Sequence, residues 1–88
     1  MEGIMKKIDI QIQNRHSEKY ATIGRNIAYY RKQQNLSQDG LADLVGISRQ
    51  HIGAIEATNV NRKMSMDLFF DIAEVLGLEP EQLLNIKL

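Results

Sequence analysis

The segment from Leu36 to Glu56 reads Leu-Ser-Gln-Asp-Gly-Leu-Ala-Asp-Leu-Val-Gly-Ile-Ser-Arg-Gln-His-Ile-Gly-Ala-Ile-Glu, and it leaves little choice of local structure. Ser37 is placed to cap a first helix, because a serine hydroxyl accepts a backbone N–H that has no partner inside the helix. Leu41, Ala42 and Val45 then recur at helical spacing. Gly46 stops that helix, since a residue without Cβ enters left-handed backbone at little cost. Ile47 follows, Ser48 is a second cap, and Ile52 and Ile55 give a second helix one apolar side. Ala42 is small where the two helices cross. Arg49, Gln50 and His51 remain as a polar face near the start of the second helix.

Two short helices and a tight turn, with polar side chains at the N-terminal end of the second, are what a helix-turn-helix presents to base edges in the major groove. The rest of the chain bounds this reading. Its 88 residues predict one domain with a modest core, which gains from dimerisation. Without cysteine, neither a disulfide framework nor a cysteine-based zinc site is possible, which fits a cytoplasmic protein. No apolar run is long enough to span a bilayer, so no membrane partner is expected, and the N-terminus lacks the apolar core of a signal peptide. The formal net charge is zero, which weighs mildly against nucleic-acid binding. Its distribution softens that objection: residues 1–35 carry seven basic and three acidic groups, residues 36–88 four and eight, or +4 against −4. Much of the acid falls from Asp67 onward, so a positive face with an acidic back is expected.

Along the chain, residues 1–16 form an arm. Ile8, Ile10 and Ile12 alternate with polar residues at strand period, which would suit a β-strand paired with its own copy across a dimer two-fold. Ile4, Ile8 and Ile12 also fit a helical stripe, so both conformations stand. Residues 17–88 read as an all-α domain. Its first helix runs from about Glu18 to Gln34, with Ser17 as cap and Tyr20, Ile23, Ile27 and Tyr30 as its buried side, and Asn35 stops it. The helix-turn-helix follows at 38–57. Ala57 to Met64 is a polar connection. Ser65 caps a fourth helix, Met66 to Leu76, whose apolar side is Leu68, Phe69, Ile72, Ala73 and Leu76. Gly77 ends it, Pro80 opens a short fifth helix, and Leu83, Leu84 and Ile86 are expected to close the core.

The pattern Ile23-Gly24-x-Asn26-Ile27, Arg31, Leu36-Ser37-Gln38, Leu41-Ala42, Gly46-Ile47-Ser48, Ile52-x-x-Ile55-Glu56 and Ile72-Ala73-x-x-Leu76-Gly77-Leu78 resembles the phage-repressor-like helix-turn-helix family, the Cro/repressor or xenobiotic-response-element type. The resemblance covers about Ile23 to Leu84 and implies a five-helix domain that binds double-stranded operator DNA as a homodimer. Carried over position by position, Gln38 and Ser48 are implied phosphate anchors, and Arg49 and Gln50 are implied base readers. The chemistry agrees: arginine pairs bidentately with guanine and glutamine with adenine. Arg31 and Glu56 match a family ion pair that fixes the angle between the first helix and the recognition helix.

The sequence departs from the family in two places. Gly53 and Ala54 stand where many relatives carry long polar readers, so either readout is narrower or Ala54 touches a thymine methyl. Gly53 costs roughly 1 kcal/mol of helix propensity relative to alanine, which favours a close approach there. The connection after Glu56 is about two residues longer than the family's and lacks its usual glycine and proline. Asn59, Asn61, Arg62 and Lys63 in that connection, with His51, are the further phosphate candidates, because segments flanking a recognition helix lie along the backbone. Arg25 and Lys32 are weaker ones. The plain alternative for each of these residues is a solvated surface side chain. His16 and His51 lack the surroundings of a metal site or a catalytic base, and no nucleophile–base constellation or phosphate-binding glycine loop is present, so neither cofactor nor enzymatic activity is expected. Phe69 reads as core; Phe70 reads as semi-exposed packing or a dimer patch.

The leading functional expectation is a small sequence-specific transcriptional regulator, a repressor that occludes a promoter. Two alternatives remain open. One is the antitoxin of a toxin–antitoxin pair, with residues 1–16 as the toxin-binding segment. The other is a protein-interaction module that has lost DNA binding, which the zero net charge and the small Gly53–Ala54 face support.

Overall fold

A computed structural model describes residues 16–57 and 64–85 of the chain. Over these residues the protein consists of five helices: α1 (Ser17–Gln33), α2 (Gln38–Val45), α3 (Arg49–Glu56), α4 (Met66–Val75) and α5 (Pro80–Leu84). The arm at residues 1–15, the connection at residues 58–63 that holds Asn59, Asn61, Arg62 and Lys63, and Ile86 lie outside the described residues.

The helix boundaries follow from side chains that satisfy orphan backbone groups. Ser37, Ser48 and Ser65 accept the backbone N–H groups of Gly40, His51 and Leu68 at 2.9, 3.1 and 3.1 Å. Gly46 closes α2 in left-handed backbone at φ 76°, and the Ile47 N–H turns back to the Ala42 carbonyl. Asn35 takes the same role after α1 at φ 56°, which a short polar side chain tolerates better than most. Pro80 opens α5, where the side chains of Glu79 and Gln82 cap each other's backbone N–H.

Two expectations are corrected. Ser17 does not cap α1 but is its first residue; the cap position belongs to His16, whose side chain makes no capping bond. Leu84 does not close the core: it is 54% exposed, because α5 is only five residues long and turns Leu83, not Leu84, inward.

The core lies where α1 packs on α3 and α5 and where α2 and α4 close the remaining sides. Ile27, Leu41, Ile52, Ile72 and Leu83, one from each helix, are fully buried at its centre. Around them sit Ile23, Tyr30, Ala42, Ile55, Leu68, Phe69, Ala73 and Leu76, while Tyr20 packs against the edge. Polar bonds finish the packing where carbonyls at helix ends need donors. Asn26 is buried and donates to the Leu83 and Asn85 carbonyls at 2.8 and 2.7 Å, tying α1 to the end of α5. The Gln34 amide does the same for the Leu76 carbonyl at the end of α4, at 2.7 Å.

Candidate nucleic-acid interface

The recognition helix α3 is held from behind by α1. At Gly24 the two backbones come so near that a Cβ would collide with the Ile55 carbonyl oxygen. Only glycine permits that spacing. A close approach of one backbone to another is thus found at Gly24. Among the described residues, a Cβ at Gly53 would meet nothing nearer than the Gln38 Oε1, at 3.8 Å. Nothing in the sequence around Gly24 except a glycine inside an apolar helix stripe signalled this contact.

About two turns further along α1, Arg31 reaches the end of α3. Its Nε and Nη2 donate to Glu56 Oε2 and Oε1 at 2.7 and 2.9 Å, and its Nη1 donates to the Leu36 carbonyl at 2.8 Å. The two side chains are only 9% and 6% exposed, so the pair is desolvated and geometrically fixed. The hydrogen bonds to Glu56 raise the Arg31 pKa above its ordinary value; burial opposes this and the Glu56 charge adds to it.

Gln38 belongs to the same network. Its Nε2 donates to Glu56 Oε1 at 2.9 Å, so the amide is turned inward rather than held out toward solvent. A carboxylate has about four lone-pair sites and arginine fills only part of them, which leaves room for this third donor. Eighteen residues separate Gln38 from Glu56, and no local pattern announces the contact.

At the opposite end of α3 the expected readers stand in the open. Arg49 and Gln50 are exposed in its first turn, and His51, Gly53 and Ala54 are half-buried behind them. The Ser48 hydroxyl is occupied as an acceptor by the His51 N–H, which leaves its own proton for a donor role. The structure thus brings Gln38, Ser48, Arg49, Gln50, His51 and Ala54 to the α2–α3 unit, while Asn59, Asn61, Arg62 and Lys63 fall outside the described residues. Arg25 and Lys32 are exposed on α1. The acidic back is seen in part: Asp67, Asp71, Glu74, Glu79 and Glu81 are exposed on or beside α4 and α5, but α2 also carries exposed Asp39 and Asp43. Among the described residues no group of three or more His, Asp or Glu side chains could hold a metal ion, and no helix is long and apolar enough to cross a membrane.

Two capped helices across a glycine turn, the second braced from behind and open in front, define a helix-turn-helix domain. Residues 27–83 match the helix-turn-helix family. The chain is 40% identical over 57 residues to an uncharacterized HTH-type transcriptional regulator of Methanocaldococcus jannaschii, a match covering 65% of this chain and 83% of that protein. Its fold is similar to the restriction-modification controller protein C.AhdI from Aeromonas hydrophila, with a TM-score of 0.67 and 30% identity over 73% of this chain and 94% of the other. A hypothetical transcription factor, NHTF, from Neisseria gives a TM-score of 0.71 at 25% identity, covering 77% of this chain and 76% of the other. The protein belongs to the Cro/C1-type helix-turn-helix family of DNA-binding transcriptional regulators.

Proposed function

We propose that this regulator is a repressor which binds a palindromic operator as a homodimer in the cytoplasm and occludes a promoter. One observation carries the reading: Arg49 and Gln50 are exposed on the first turn of α3 while the far end of that helix is locked to α1 through Glu56. A helix braced in this way can lie in a major groove with both side chains at base edges. Ser48, His51 and the Gln38 end of α2 serve as backbone contacts beside it. Arg62 and Lys63 add phosphate contacts from the connection that follows. Two copies related by a two-fold would present two such helices to two half-sites.

Selection of bound duplexes from a random library tests this directly. The expected product is an inverted repeat whose two halves each change when Arg49 or Gln50 is replaced by alanine. An unchanged selection for both variants would overturn the assignment. A salt titration separates the regulator from an interaction module that has lost DNA binding, since phosphate contacts make affinity fall steeply with salt.

A further inference from the structure

An apolar cleft of about 370 Å³ opens on the side of the molecule where α1 begins, lined chiefly by Tyr20, Ile23, Met64, Met66, Phe69 and Leu84. It plays no part in the α2–α3 unit. Its walls are apolar but uncovered: Met66 is 62% and Leu84 54% exposed. Apolar surface of this kind gains free energy when something removes it from water.

We propose that the cleft is the seat of the chain's own N-terminal arm, with Ile8 and Ile12 as the side chains that fill it. The arm runs directly into His16, which forms one end of the cleft. Ile12 lies four residues before His16, a span of at most about 14 Å of extended chain, so it reaches the cleft without effort. Ile8 and Ile12 share one side of the arm both as a strand, with Ile10, and as a helix, with Ile4. The choice of these two residues is therefore independent of the arm's conformation. Tethering decides between the arm and its rivals. A segment attached at the edge of a site acts at an effective concentration in the millimolar range, which a second copy or a free apolar ligand must exceed to displace it. The arm thus completes the hydrophobic layer over Met66 and Leu84 that the short α5 leaves open. The inference does not rest on the DNA-binding reading, since base selection by α3 can fail with the arm in place.

The test is methyl NMR on the full chain, with isoleucine, leucine and methionine methyl groups labelled. Through-space contacts are expected from Ile8 and Ile12 to Met66 and Leu84, and they should persist when labelled chain is diluted with excess unlabelled chain. In Ile8→Asp/Ile12→Asp these contacts should vanish and the urea midpoint should fall, while contacts among the core methyl groups of Ile27, Leu41, Ile52, Ile72 and Leu83 remain. Ile8→Leu/Ile12→Leu should restore both. Absence of arm-to-cleft contacts in the unaltered chain would overturn the proposal. Contacts seen only between differently labelled chains would also overturn it, assigning the cleft to the arm of a second copy.

Discussion

The two sides of α3 share eight residues and almost no duties. Toward α1, Ile52 and Ile55 are 0% and 4% exposed, the Ile55 carbonyl abuts Gly24, and Glu56 is held by Arg31 and Gln38. Elsewhere on the helix, Arg49 and Gln50 are exposed in the first turn and Gly53 has no side chain. The inner side decides where the helix lies; the outer side is left exposed for whatever the helix meets. Two isoleucines alone would fix distance better than rotation, because apolar contact is non-directional. The bidentate ion pair supplies direction, so the outer face points one way.

That division can be broken, and the largest effect should come from the ion pair. Arg31→Ala strands a nearly buried carboxylate, which costs about 3–5 kcal/mol in cases of this type. Urea denaturation measures it; a loss below about 1 kcal/mol would mean that Glu56 escapes to water and that the pair does not orient α3. The pH dependence has a definite sign. Because the folded-state pKa of Arg31 is raised, its contribution is fully present below the unfolded value and is lost only as pH rises through the higher folded one. From Arg31, then, the stability gap between wild type and Arg31→Ala should stay level from about pH 6 to about pH 9. Gly24→Ala comes next. Its Cβ meets main chain rather than a flexible side-chain tip, so about 1–3 kcal/mol should be lost, with α3 displaced if the fold survives.

On the outer side the same size of effect should appear in a different measurement. Arg49→Ala should leave the denaturation midpoint unchanged and lose about 1–3 kcal/mol of discrimination at one base pair of each half-site, read by competition binding with single-substituted duplexes. The smallest effect sharpens the contrast by reversing sign. Gly53→Ala places a methyl group at ordinary contact distance from Gln38 and should raise stability by up to about 1 kcal/mol. A destabilised Gly53→Ala would show that the outer side is less independent than its contacts indicate.

Much of this arrangement was legible in the sequence because its signals are local. Ser37, Ser48 and Ser65 lie immediately before their helices and Gly46 immediately after one, so the bonds that mark those ends span a few residues. The ion pair between Arg31 and Glu56 came through the family resemblance, since 25 residues of sequence separate its partners. What escaped was contact geometry. Asn26 shares the Ile23, Ile27 and Tyr30 stripe, so a buried role was signalled, but its acceptors are carbonyls 57 and 59 residues away. The bond from Gln38 to Glu56 carries no local signal, because the two become neighbours only when α3 folds back. Gly24 and Gly53 are both glycines inside helices, and only the three-dimensional crossing shows which of them another backbone touches.

The backbone crossing at Gly24 has a consequence for heredity. The parts that hold α3 in place are Gly24 against the Ile55 carbonyl, the buried Ile52 and Ile55, and Glu56 with Arg31 and Gln38, and none of them is Arg49, Gln50, Gly53 or Ala54. Codons for the outward positions can therefore change one at a time without any intermediate having to solve the fold again. A duplicated gene for this protein can wander to a new address on the chromosome by single steps, each carried by a folded molecule.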